Sequence, residues 1–245
     1  GNNTITFDAL ADGTHSNCII TVTDNASNTS DNLSVSPFTI GRLTPALYEV
    51  TPVETPDNDT TPSYTFFSTL PGTITYGVCS GSPDNASADN NTITFDALAE
   101  GTYDNCTISV TDAINSNTSD NLSVSSFTID TTAPTLDNVT IASNNSDNTT
   151  LAKTGNVITL SITSAEAIQT PSVSIAGQAA AVSGGDNITW SATYTMKDND
   201  TEGSVSLNIG FFDLAGNPGS AVTSTIGGSA VLFDKTPPEL GGVTE

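Results

Sequence analysis

The sequence predicts an all-β chain built from tandem antiparallel β-sandwiches. Three observations carry this reading. Short runs of alternating apolar and polar residues recur along its length, divided by Pro, Gly, Asn and Asp, which is the pattern of half-buried strands. No segment shows a convincing 3.6-residue apolar period. And one stretch occurs twice: Asn2–Asp24 returns as Asn90–Asp112, with roughly 18 of 23 positions unchanged, the mark of a repeat array.

The elements follow in order. Residues 1–40 hold runs at Thr4–Leu10, Cys18–Thr23 and Leu33–Ile40, the last two joined by the polar turn Asp24–Asn28. Residues 41–130 repeat this pattern at an offset of about 88 residues and precede it with runs at Ala46–Val53, Ser63–Thr69 and Thr73–Cys79. Six or seven short strands in about 90 residues make one complete sandwich. Residues 1–40 then correspond to the C-terminal half of such a module. Residues 131–234 form a module of a second type, with alternation at Ile158, Leu160 and Ile162, at Val173 and Ile175, and at Ile188, Trp190, Ala192 and Tyr194. Val205, Leu207, Ile209 and Phe211 continue it, and Ala230 with Leu232 closes it. The segment Phe233-Asp-Lys-Thr-Pro-Pro mirrors Ile129-Asp-Thr-Thr-Ala-Pro, so 235–245 reads as the first strand of a further repeat. Opening and closing inside modules, the chain reads as an excerpt of a longer secreted polypeptide.

Composition narrows the functions. Arg42, Lys153, Lys197 and Lys235 face 27 acidic residues, a net charge of −23. That field repels nucleic acid and anionic membrane surfaces, and no apolar run is long enough for membrane insertion. Divalent cations or a saline medium suit it better.

The motifs DTTAPTL (130–136), VITLSITSAEAI (157–168), PSVSIAG (171–177), ITWSATYTM (188–196), EGSVSLNIGFFDLAGN (202–217) and VLFDKTPPEL (231–240) resemble the bacterial immunoglobulin-like repeat domains of large extracellular surface adhesins. TPSYTF, GTITYG and NCTISVTD are similar to a sister type that alternates with them. The resemblance implies tandem immunoglobulin-like β-sandwiches arranged end to end, at the cell surface or secreted, non-enzymatic, and often rigidified by calcium. Partners on this reading are neighbouring repeats of the same polypeptide. Two alternatives accompany the stalk: a segment of a self-assembling extracellular filament (a homo-oligomer), and an adhesion module for a glycan or protein ligand.

An immunoglobulin-like strand order brings Cys79 and Cys106 to the same end of neighbouring strands, so they are expected to form a disulfide, which implies an oxidising compartment. Cys18 is the counterpart of Cys106, and its own partner would fall before Gly1, so it is expected to be unpaired by truncation. The single histidine, His15, stands where the complete copy has Tyr103. A catalytic histidine would be needed in every working copy, so His15 reads as a turn residue and no catalytic residue is assigned. The acids read as calcium ligands, since hard cations take oxygen donors. Asp130 in the linker, Glu166 in SAEAIQT, and Asp213 with Asn217 in FFDLAGN are expected to converge, near Asp57, Asp59, Glu100 and Asp104. At the earlier junction Arg42 is expected to pair with Asp112 in place of a metal. About fifteen Asn-x-Ser/Thr sequons, Asn28, Asn121 and Asn187 among them, leave glycosylation undecided.

Overall fold

A computed structural model describes residues 1–11, 13–41, 43–114, 116–239 and 241. Every regular element among them is a β-strand. The chain divides into two compact units. One takes Gly1–Pro52, Ser63–Phe95 and Asn105–Val124; the other takes Val53–Pro62, Asp96–Asp104 and Ser125–Glu245. The segment 41–130 therefore contributes to both.

In the second unit, Leu136–Ser143, Val157–Ser164, Thr189–Thr195 and Ala181–Gly184 form an antiparallel sheet in that spatial order. Opposite lie Gln178–Ala179, Ser172–Ile175 and Leu207–Gly210, and a third small sheet pairs Leu151–Ala152 with Leu232–Phe233 in parallel and Gly203–Ser204 with Leu232–Phe233 antiparallel. This is the four-on-three arrangement of an immunoglobulin-like sandwich. Register explains its core. Val139 stands opposite Ile162, which stands opposite Trp190 on its other side, while Val173 stands opposite Ile209. Period-2 alternation thus sends Val139, Ile141, Ile158, Leu160, Ile162, Trp190 and Ala192 into one cluster with Ile175, Leu207 and Ile209.

The last strand departs from the expected facing. Val231 and Phe233 are buried, and Leu232 is exposed. Pairing of Leu232 with Ser204, and of Phe233 with Gly203, fixes this register, and a one-residue slip exchanges the two faces of a strand.

In the first unit, Leu47–Thr51, Ser63–Ser68, Asn90–Phe95 and Gly81–Ser82 form one sheet, and Leu122–Ser123, Thr107–Asp112, Gly72–Tyr76 and Asn85–Ala86 form another. Tyr64, Phe66, Ile74, Ile93, Phe95, Ile108 and Val110 are buried. A disulfide joins Cys79 to Cys106 with their Cα atoms 5.3 Å apart.

The first copy of the duplicated stretch keeps only part of this. Gly13–His15 pairs with Phe38–Ile40, and Ile19–Ile20 with Leu33–Ser34, matching Gly101–Tyr103 with Phe127–Ile129 and Thr107–Ile108 with Leu122–Ser123. The expected strand over Thr4–Leu10 is not formed, although the counterparts of Thr4–Phe7, Thr92–Phe95, lie in the strand Asn90–Phe95 of the second copy. The difference is the partner: Asn90–Phe95 lies between Ser63–Ser68 and Gly81–Ser82, and strand propensity alone does not hold an unpartnered segment.

Candidate functional site

The candidate cation site lies within the second unit. One carboxylate oxygen each from Asp130, Glu166 and Asp213 falls within 4.8 Å of the others. Asp213 is 1% exposed, and Asp130 and Glu166 are half-buried.

Local structure places each one. Asp213 opens a tight turn closed by Asn217: its N–H donates to the Asn217 carbonyl at 3.1 Å, and the Asn217 N–H donates to Asp213 Oδ1 at 2.8 Å. Gly216 in this turn has φ +96°, a left-handed conformation that suits glycine. Gln169 anchors the turn, its N–H donating to the Phe212 carbonyl and its Nε2 to the Asp213 carbonyl at 2.8 Å. Glu166 sits just before, held where Ser164 Oγ donates to its backbone carbonyl and the Ala165 N–H donates to Thr135. Asp130 follows strand Phe127–Ile129, with its N–H donating to the Asp57 carbonyl at 2.9 Å.

Asn217 enters as a brace. Its Nδ2 donates to Asp213 Oδ2 at 2.8 Å and to the Asp130 backbone carbonyl at 2.7 Å, tying the linker to the turn. Beside it, Glu100 Oε2 accepts from the hydroxyls of Thr132 at 2.7 Å and Thr131 at 3.0 Å, and these bonds hold its carboxyl below the usual range. Burial pushes Glu166 up, and the charges of Asp130, Asp213 and Glu100 push it further. The donor set is hard oxygen, with carboxylates crowded against a buried one, and fits a divalent cation of the calcium type.

Asp57 joins this neighbourhood through its backbone, and its Oδ1 accepts from the Asp59 N–H at 3.0 Å. Asp104 does not belong to the three-carboxylate group. Arg42, expected to pair with Asp112, lies outside the described residues; Asp112 itself is buried.

A second copy of half this arrangement was missed in the sequence. Glu202 Oε1 accepts from Thr236 Oγ1 at 2.7 Å, as Glu100 does from Thr132, and Asp234 Oδ1 accepts from the Thr236 N–H at 3.0 Å, as Asp130 does from Thr132 at 3.1 Å. Both glutamates precede a positive-φ glycine, Gly101 or Gly203. The signal lay in pairing Glu-Gly with Asp-x-Thr-x-Pro about 30 residues later, a coupling visible only once strands ending the module are seen to be neighbours.

His15 proves to be a structural stand-in. Its Nε2 lies 2.9 Å from the Ala11 carbonyl and its ring stacks on Phe38. Tyr103 does the same, donating its hydroxyl to the Ala99 carbonyl at 2.8 Å and stacking on Phe127, in the manner of the tyrosine corner of immunoglobulin-like domains. Cys18 is a free thiol.

Fold and site together define an all-β protein of immunoglobulin-like sandwiches with an acidic cluster where the linker meets two loops. No protein-family model and no curated protein matches the chain. Among solved structures it is similar to the fibronectin(III)-like modules of Clostridium thermocellum CbhA, at 10% identity and TM-score 0.39, over 82% of this chain and 100% of that one. It is also similar to the D00-D0 domain of intimin, at 18% identity and TM-score 0.31, over 78% of this chain and 100% of that one. A third is the Bacteroides ovatus mixed-linkage glucan utilization locus protein SGBP-B, at 15% identity and TM-score 0.22, over 93% of this chain and 56% of that one. These likenesses carry no assignment of function.

Proposed function

We propose that the chain is a non-catalytic structural segment, a stalk, of a large secreted or cell-surface adhesin, and that calcium at the Asp130–Glu166–Asp213 cluster fixes its linker. The observation that carries this reading is the convergence itself: a linker carboxylate meets carboxylates from two separate loops of the sandwich it enters, within 4.8 Å. Asp130, Glu166 and Asp213 supply the charge, and Asn217 braces the linker carbonyl. A bound cation there removes mutual repulsion and restrains the linker, which is what a load-bearing extracellular repeat requires. The disulfide supports an oxidising, extracellular setting.

Differential scanning calorimetry of the whole chain, with calcium and with a chelator, tests the proposal. A calcium-dependent rise in Tm, absent with sodium chloride at matched ionic strength, is expected. An unchanged Tm, together with no heat of calcium binding, overturns it. A concentration-dependent mass in sedimentation would favour the filament reading over the stalk.

A further inference from the structure

Asparagine and aspartate are not scattered independently along this chain. Ser and Thr fill 70 of 245 positions, so a hydroxyl should stand two residues after an asparagine about three times in ten. For the 12 asparagines that do not follow an aspartate it does so 4 times, as chance allows. For the 9 aspartates not followed by asparagine, the equivalent position, three residues on, holds Ser or Thr in none. Yet 11 Asp-Asn pairs occur, from Asp24-Asn25 to Asp198-Asn199, and all 11 continue as Asp-Asn-x-Ser/Thr. Neither residue alone attracts the hydroxyl, and the pair does so every time. Duplication does not produce this, because only Asp31-Asn-Leu-Ser and Asp120-Asn-Leu-Ser stand at matching positions of the two copies.

No local structure accounts for the tetrapeptide. Asn85 and Asn138 lie in strands, Asn105 and Asn121 lie between strands, and Asn199 lies in a turn. The aspartates differ likewise: Asp24 Oδ1 accepts from the N–H groups of Ala26 and Asn28, Asp57 Oδ1 from that of Asp59, and Asp89 Oδ1 from that of Asn90. The hydroxyls share no purpose either, since Thr150 donates to Asn148 Oδ1, Ser87 to Asn91 Oδ1, and Thr92 pairs with Thr65. What the 11 asparagines share is availability, for every one is exposed. Among the described residues, the asparagines whose Nδ2 donates within the fold are Asn28, Asn91, Asn117, Asn156 and Asn217, and none of these follows an aspartate. The fold uses one set for its own bonds and leaves the amide nitrogens of the other set for chemistry.

We propose that Asp-Asn-x-Ser/Thr is a modification signal in this chain and that its asparagines carry N-linked sugars. Asn-x-Ser/Thr is the acceptor pattern for such sugars, which are bulky and solubilising and take a surface position. The preceding aspartate adds a charge by which a transferase of complementary charge selects these asparagines over the others. The donor class is a glycosyl phosphate or pyrophosphate. Asparagine Nδ2 bonds to the anomeric carbon, the bond from that carbon to the phosphate oxygen breaks with its electron pair leaving on the phosphate, and one Nδ2 proton passes to a base of the transferase. Asn85 and Asn138 lie on edge strands of their sheets, where a sugar blocks pairing with a strand of another chain. The proposal is independent of the calcium reading, because Asp130, Glu166 and Asp213 belong to no such tetrapeptide.

The test is peptide mapping of the full chain purified from the cells that produce it. With only four Lys and Arg residues in the chain, a protease of broad specificity replaces trypsin, and electron-transfer fragmentation in the mass spectrometer keeps each sugar on its side chain. Sugar is expected on Nδ2 of most of the 11 asparagines. Their occupancy should exceed that of Asn28, Asn117 and Asn144, sequons without the aspartate, by about tenfold. Asp137 is exposed, so D137A, made in the same cells, leaves Tm unchanged and isolates the signal. Occupancy at Asn138 should then fall about tenfold, while Asn148 in the same molecule keeps its own. Sugar on fewer than half of these asparagines, sugar confined to Ser and Thr hydroxyls, occupancy spread evenly over every sequon, or undiminished occupancy at Asn138 in D137A each overturn the proposal.

Discussion

Replacing Glu166 with Gln separates electrostatic crowding from cation binding, because the two act on stability with opposite sign. Glu166 lies within 4.8 Å of two other carboxylates. At an effective dielectric constant of about 20, unit charges at that spacing repel by about 3.5 kcal/mol per pair. Glu166 and Asp130 are half-exposed, so water and salt reduce the sum to about 1–2 kcal/mol. In chelator, E166Q is therefore expected to raise Tm by roughly 5–10 °C for a domain of this size. With calcium at 10 to 100 times Kd, the unsubstituted protein gains about 1.4–2.7 kcal/mol. E166Q removes a charged ligand and is expected to lose at least half of that gain. The two Tm curves then approach or cross as calcium is added, which calorimetry across a calcium titration reads directly. A lower Tm for E166Q in chelator would show that the carboxylate is held by favourable contacts and would refute the crowding argument. An unchanged calcium increment would remove Glu166 from the site.

Reducing the Cys79–Cys106 bond, or replacing both cysteines by Ser, reopens a 27-residue separation and should cost about 3.5 kcal/mol on the chain-entropy account, measured by urea unfolding. Ile162→Ala, at a fully buried position flanked by Val139 and Trp190, should cost about 2–5 kcal/mol in the same assay. Asp186 accepts from the N–H groups of Thr189 at 2.6 Å and Ile188 at 3.0 Å, and these bonds, Thr189 first, hold its carboxyl below 3.8. Because the folded value is the lower one, its stabilising effect is complete above 3.8 and fades as pH falls through the folded value. An NMR titration should find Asp186 still ionised where a free aspartate is half protonated, and D186A should flatten that part of the pH–stability curve.

Much of this architecture was written in period and spacing. Ile158, Leu160 and Ile162 read as one face of a strand and are one, because Leu160 pairs with Ile141 and Ala192, Ile162 with Val139 and Trp190, and Ile158 with Tyr194 on one side. Leu232 shows where periodicity fails: in a two-residue strand, either alternate set reads as inward, and the choice belongs to pairing with Gly203–Ser204. Thr4–Leu10 shows a different limit. Its sequence is that of a strand, yet the fold depends on a partner that alternation cannot supply. The convergence of Asp130, Glu166 and Asp213 was legible as a set of acids on chosen loops. What the chain order did not reveal was the amide of Asn217 turned toward Asp130, or Glu202 repeating Glu100, since both depend on which residues distant in sequence become neighbours.

The aspartate–asparagine turn decides how the acidic cluster should be understood. Asp24 and Asn28 make the same bonds as Asp213 and Asn217: main chain to main chain at 2.9 Å, Asn28 N–H to Asp24 Oδ1 at 2.9 Å, and Asn28 Nδ2 to Asp24 Oδ2 at 3.0 Å. That turn is exposed, and its hydrogen bonds with Asn28 hold the Asp24 carboxyl low. Asp112 and Asn117 close a longer version. The turn is thus a hairpin device closed by its own hydrogen bonds, at Asp24 as at Asp213. Among the described residues, only at Asp213 do carboxylates from the linker and from the Glu166 loop arrive at a buried member of the motif. Crowding charge against a buried carboxylate opposes folding, whereas the same hairpin in the first copy forms with no such neighbours. The charge crowding therefore belongs to the convergence and not to the turn, and the residues that create it are Asp130 and Glu166.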